Sequence, residues 1–169
     1  LAKNFGAGAL IALNPFIGIP ALIANTANEY GKQKNANNFN DAFVLKLNDT
    51  GTALVYATYL GGANQDSGLD IAVDGDGNAY ATGNTSYSSS GIEYPVTADA
   101  YMTYSTAWPD DFITKLNSDG SALLFSTLWG GGSQQDSSRG IAIDPATSSI
   151  YVTGWTGSAA VGDMMPVTP

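Results

Sequence analysis

The sequence predicts an all-β protein: two tandem four-stranded antiparallel units preceded by a hydrophobic N-terminal segment. Three observations carry this expectation. The stretch FVLKLNDTGTALVYATYLGG (43–62) returns as FITKLNSDGSALLFSTLWGG (112–131), identical at ten of twenty positions. Unrelated sequences would share about one, and an internal repeat of this strength sets the architecture before any local reading does. Within the repeat, Phe43, Leu45 and Leu47 alternate with other residues at the strand period of two. Glycine, serine, threonine, asparagine and aromatic residues dominate, while lysine and glutamate are few. That composition suits short strands and tight turns better than helices.

The repeat extends past its opening. DSGLDIAVDGDGNAYATGNT (66–85) aligns with DSSRGIAIDPATSSIYVTGWT (136–156) after single insertions near Gln135 and Ser149, and YPVT (94–97) aligns with MPVT (165–168). The period is therefore about 70 residues. The first expected strand is Phe43–Leu47, with Phe43, Leu45 and Leu47 on one face. NDTG follows, and NSDG in the second unit, with Gly51 and Gly120 free to take positive φ. The second strand, Ala53–Leu60, is rich in β-branched and aromatic residues and is broken by Gly61-Gly62. Leu69–Val73 is a short apolar run, Asp74–Asn78 turns the chain, and Ala79–Gly83 is the fourth strand. The second unit repeats these at 112–116, 122–129, 140–143 and 150–154. Four short antiparallel strands with Gly and Asp turns between them describe a propeller-type blade. The predicted organisation is an assembly segment and polar linker over 1–40, a first repeat over 41–110 and a second over 111–169. Residues 84–110, rich in Ser, Thr and Tyr, are expected to pack on the blade through Tyr94, Tyr101, Tyr104 and Trp108, with ligand contact as the alternative.

The pattern carried by DAFVLKLNDTGTALVYATYLGG (41–62) and by DIAVDGDGNAYATGNT (70–85) resembles the SBBP β-propeller repeat of large bacterial and archaeal secreted and surface proteins. The resemblance covers 41–97 and 111–168, roughly two-thirds of the chain. It implies a four-stranded blade and an extracellular or cell-surface setting, and it brings no catalytic residues to transfer. One departure is DPATSSI (144–150), which stands where the pattern has a shorter glycine turn.

Residues 5–24, FGAGALIALNPFIGIPALIA, carry no charge. They are long enough for a membrane span, but Pro15 and Pro20 and the glycines weaken a regular helix. Three readings stay open: a signal peptide, a degenerate half-repeat laid on TGTALVYATYLGG, and an assembly segment. In its apolar pattern the segment resembles the hydrophobic N-terminal helix of type IV pilins, with Ala9 where those carry glutamate. Such a stretch must be buried in the same molecule, in another copy or in lipid. The candidate assembly residues are Phe5, Leu10, Ile11, Leu13, Phe16, Ile17, Ile19, Leu22 and Ile23, with membrane contact before assembly.

The chain has neither Cys nor His, which removes disulfides, thiolate nucleophiles, the usual zinc sites and every His-based triad. Residues 1–46 balance at +2 and residues 47–169 at −11. So acidic a surface repels phosphates, and no nucleic-acid partner is expected. Asp74, Asp76 and Asn78 alternate as calcium-loop ligands do, but no bidentate Glu follows. A Gly-rich turn is the favoured reading there, and no metal or cofactor is expected. Asp66 and Asp136 recur at equivalent positions, as do Asp74 and Asp144, which suggests turn or strand-end hydrogen bonds. Asn48 and Asn84 fit the N-glycosylation acceptor pattern. No nucleophile–base constellation appears, so a hydrolase is disfavoured. The expectation is a non-enzymatic extracellular structural protein whose partner is itself, assembling into a filament through its N-terminal segment. The alternative is a glycan-binding or adhesive module of a larger surface protein.

Overall fold

A computed structural model describes residues 39–87, 94–103, 109–131 and 134–157. The predicted assembly residues between Phe5 and Ile23, and Tyr104 and Trp108, lie outside them. Among the described residues eight strands follow one another: β1 (Ala42–Leu47), β2 (Leu54–Leu60), β3 (Asp66–Val73), β4 (Ala79–Thr85), β5 (Asp110–Leu116), β6 (Leu123–Trp129), β7 (Asp136–Ile143) and β8 (Ile150–Thr156). All pairings are antiparallel, and no helix occurs among the described residues. The all-β expectation of four strands in each repeat holds, with strands of six to eight residues.

The sheets are out of phase with the sequence repeat by half a unit. β1–β2 form a two-stranded sheet, β3-β4-β5-β6 a four-stranded one, and β7–β8 another pair. The complete blade therefore joins the second half of one repeat to the first half of the next. The sequence-based picture of each repeat as one self-contained sheet is corrected accordingly. The cause is local. After β2, the Asp66 carboxylate receives the Gly62 amide at 2.9 Å, and the Asp66 amide donates to the Asn40 carbonyl at 2.7 Å. These bonds fix a corner that carries β3 out of the β1–β2 sheet. The long connection after β4 instead lets β5 return along it, pairing from Ala79 with Leu116 to Thr85 with Asp110.

β3 and β7 begin earlier than the apolar run suggests, at Asp66 and Asp136, because each crosses an irregularity. The register shifts between Gly68 and Asp70 and again between Ser138 and Gly140. A bulge turns side chains out of period-two alternation, and this hid the strand starts. Opposite each bulge lies a glycine. A Cβ on Gly83 would stand 1.9 Å from the Ser67 carbonyl oxygen, and one on Gly154 2.1 Å from that of Ser137.

The two hairpin turns are the same turn built twice. The Ala53 amide donates to Asn48 Oδ1 at 3.1 Å and the Ala122 amide to Asn117 Oδ1 at 2.9 Å, while Gly51 and Gly120 take φ of 68° and 69°. The Asp74 and Asp144 turns differ. The longer second one places Ser148, at φ 58°, where the first has Gly77 at φ 81°.

The core gathers Val44, Tyr56, Leu60, Ala79, Ala81, Tyr94, Phe112, Leu116 and Leu128. Tyr94 stacks on Phe112 with ring centroids 4.4 Å apart, and its hydroxyl shares a 2.8 Å hydrogen bond with Thr114. Thr97 and Met102 bond to β6 through Ser126 and Leu128, so residues 94–102 cover part of the outer edge of the blade. A covered edge no longer offers a template for other strands. The packing role expected of Tyr94 is observed, while Tyr101 is exposed.

Candidate functional site

Equivalent positions on the complete blade and on the two half-blades have opposite environments. Phe112 and Leu116 of β5 are 0% exposed, whereas their counterparts Phe43 and Leu47 of β1 are 63% and 48% exposed. Tyr80 of β4 is 2% exposed, and its counterpart Tyr151 of β8 is 61% exposed. The residue types match, so the difference lies in the neighbours. Phe112 and Leu116 lie in the core cluster with Val44, Tyr56, Leu60 and Tyr94, and β4 and β5 have each other, while among the described residues no strand pairs with the second edge of β1 or of β8. The predicted shared face of Phe43, Leu45 and Leu47 exists, and it is an exposed apolar face.

The β4–β5 junction shows what such an edge accepts. The Lys115 ammonium lies 4.7 Å from the Tyr80 ring centroid and 3.1 Å from Asp74 Oδ2. Tyr80 and then Asp74 favour its charged form and raise its pKa. Although desolvation opposes it, hydrogen bonds from Asn78 and Lys115 hold the Asp74 carboxyl well below the usual carboxylate range. Gly83 leaves room for the Phe112 ring, whose Cζ would lie 2.8 Å from a Cβ there. Asn84 donates to Asp111 Oδ1 at 2.6 Å and to the Asp136 carbonyl at 3.1 Å, tying the junction to the next half-blade. Thr82 to Ser138 (2.9 Å) and the Ile141 amide to Asp70 (2.8 Å) add to that tie.

A second feature repeats in each unit: carboxylates meet behind the double glycine. A Cβ on Gly61 would stand 2.6 Å from Asp66 Oδ2 and 3.0 Å from Asp41 Oδ1, and one on Gly130 2.7 Å from Asp110 Oδ1 and 3.0 Å from Asp136 Oδ2. Asp66, Asp110, Asp111 and Asp136 are buried. Asp66 Oδ1, Asp111 Oδ2 and Asp136 Oδ1 have no hydrogen-bond partner among the described residues. Burial, with the charge of Asp41 added, pushes the Asp66 carboxyl up to about 6; burial, with Asp136 and Asp110 added, does the same to Asp111. The recurrence of Asp66 and Asp136 was visible in the sequence. Their convergence with Asp41 and Asp110 was not, because it depends on how the corner folds.

The residues singled out from sequence fall in different places. Asp74 Oδ1 receives the amides of Asp76 (3.0 Å) and Asn78 (2.9 Å), while Oδ2 receives Asn78 Nδ2 (2.9 Å), the Tyr80 hydroxyl (3.2 Å) and Lys115. Its oxygens thus serve the turn and the β4–β5 junction. Asp144 likewise receives the Ala146 amide at 2.9 Å. No group of three or more metal-ligating side chains converges among the described residues. Asn48 holds its own exposed turn, and Asn84 lies between the complete blade and the β7–β8 half-blade with its amide nitrogen donating twice. Lys46, Tyr151 and Asp144 were not recognised as a set, and the internal Lys115–Tyr80–Asp74 cluster is the signal that identifies them.

A family model described as SBBP, a beta-propeller repeat, matches residues 55–87 and 124–159. A search of curated proteins found no match to the chain. The two matched segments run from β2 through β4 and from β6 through β8, the same span in each repeat.

Proposed function

Because the chain carries two SBBP β-propeller repeats, we propose that it is a non-enzymatic structural protein of the cell exterior that assembles with copies of itself into a surface filament. The supporting observation is the contrast between equivalent residues, Phe112 at 0% exposure and Phe43 at 63%. Apolar faces of this kind are favourable to bury, and open sheet edges invite pairing. The uncharged residues 5–24 are a second apolar stretch in the sequence, one that is favourable to bury. Burying even ~1,000 Å² of it is worth on the order of 25 kcal/mol before entropy costs. A head-to-tail contact whose rotation does not close produces filaments. The absence of His and Cys supports a non-enzymatic role, as does the use of Asp74 in a turn. The extracellular part of the reading is supported by the resemblance of the repeat to that of large secreted and surface proteins.

The test is deletion of residues 1–28 and, separately, Ile17→Asp, followed by sedimentation and electron microscopy. The parent is expected to form a polymer that both variants lose. A parent that stays monomeric, or a variant that polymerises as the parent does, overturns the reading. A glycan-binding or adhesive role is favoured by one observation, the exposed Tyr87 and Tyr101 beside the long linker, since exposed aromatic rings can stack on sugars. Loss of glycan-array binding on Tyr101→Ala would establish it.

A further inference from the structure

Resting on the assembly reading above, we infer that the edge of β8 that no strand pairs among the described residues takes β1 of a second copy, completing a blade of β7, β8, β1 and β2 across the contact. The internal β4–β5 junction is the template. β8 (IYVTGWT) is the counterpart of β4 (AYATGNT), and β1 with Asp41 (DAFVLKL) is the counterpart of β5 (DDFITKL). Among its described residues one chain thus presents both halves of a junction that the same residues form once internally.

The register follows from the internal one. Ala79 pairs with Leu116, Tyr80 with Lys115 and Gly83 with Phe112. Carried over, Ile150 faces Leu47, Tyr151 faces Lys46 and Gly154 faces Phe43 of the second copy. Each pairing matches in chemistry. Gly154 lacks the side chain that would block the Phe43 ring, as Gly83 does for Phe112. Tyr151 offers its ring, and Asp144 its carboxylate, to Lys46, as Tyr80 and Asp74 do to Lys115. Within its own copy Lys46 donates to the Ser118 carbonyl at 3.0 Å in an exposed setting. The faces that the contact would cover are those now exposed, Phe43, Leu45 and Leu47 on one side and Tyr151 and Trp155 on the other. An unrelated strand would bury the apolar residues equally well, but it would not supply the cation opposite Tyr151 and Asp144. That favours a second copy as the occupant.

Two experiments on the full chain test the pairing. The chain has no cysteine, so a disulfide can form only where cysteines are introduced. The double variant Tyr151→Cys with Lys46→Cys is expected to give a covalent ladder on mild oxidation. Each single variant should stop at the dimer, and Tyr151→Cys with Val44→Cys, two positions out of register, should give little or none. In parallel, Lys46→Asp and Asp144→Lys are each expected to raise the concentration needed for assembly by ~tenfold or more, and the two together to restore it. Circular dichroism confirms that each variant is folded. Absence of the ladder, with assembly indifferent to both charge reversals, overturns the strand pairing and leaves the assembly reading standing. Closed particles of two to four copies, with the ladder present, uphold the pairing and overturn the filament: each copy brings two blades' worth of strands, and rings hold about four to eight. A parent that stays monomeric at every concentration overturns both.

Discussion

Asp66 and Asp111 carry carboxyls whose folded pKa, about 6 in each case, lies above the ordinary value of 3.8. The fold favours their neutral forms. Their contribution to stability is therefore full below the unfolded value and is lost as pH rises through about 6. Asp74, held low, acts in the opposite sense, and its contribution falls away as pH drops below 3.8. The protein should be most stable near pH 4, where these opposing trends meet, and calorimetry should show a melting temperature several degrees higher at pH 5 than at pH 7.5. The rise from 3.8 to about 6 sets a ceiling of ~3 kcal/mol for each group. Asp66→Asn should flatten the profile, and a profile unchanged by that substitution would contradict the assignment. A second residue-scale prediction separates two glycines that look alike in sequence. Both have φ near 68°. A Cβ on Gly51 would meet nothing within 4 Å, whereas one on Gly120 would stand 2.4 Å from the Tyr56 ring. Gly51→Ala should cost ~1 kcal/mol for conformation alone, and Gly120→Ala ~2–4 kcal/mol once overpacking is added, as read by urea denaturation. The turn role of both glycines was legible from NDTG and NSDG. The contact with Tyr56 was not, because it joins residues 64 positions apart in sequence through the packing of the β1–β2 half-blade on the complete blade.

At the scale of the element, the sequence repeat makes all eight strands legible within a few residues. The phase of the sheet was not legible. A repeat shows which segments are alike, but it does not say which pair is joined by hydrogen bonds and which by a corner. The corner is set by the Asp66 carboxylate and the Gly62 amide, and the sequence displays only a glycine pair and an isolated acid. The early starts of β3 and β7 were hidden by their bulges for a related reason, since alternation fails where the register shifts. Burial was the other illegible quantity. Phe43 and Phe112 are one residue type in one pattern, yet the first is exposed and the second enclosed by Tyr94 and Gly83. Phe112→Ala should therefore cost ~3–5 kcal/mol. Phe43→Ala should change the stability of the dissociated protein by no more than ~0.5 kcal/mol. Denaturation of both variants at low protein concentration checks this, and equal costs would contradict the burial difference.

At the scale of the whole molecule, two of the three sheets among the described residues are incomplete blades. One four-stranded sheet stands between two hairpins, each with an edge that lacks a strand among the described residues. Inter-blade ties are already present within the chain, from Lys46 to Ser118 on one side and from Asn84 to Asp136 on the other. A second copy would extend the same arrangement with a junction of the type already formed by β4 and β5. The acidic charge of residues 47–169 makes non-specific association between copies unfavourable at low salt. The specific Lys46 to Asp144 match is then the more decisive. Hydrogen exchange of the full chain, followed by mass spectrometry across a range of protein concentrations, tests this most directly. The account predicts that amides of β1 and β8 exchange rapidly in dilute solution and become protected, to the level of β4 and β5, as concentration rises. Rapid exchange of both edges at every concentration, with β4 and β5 protected throughout, would contradict it.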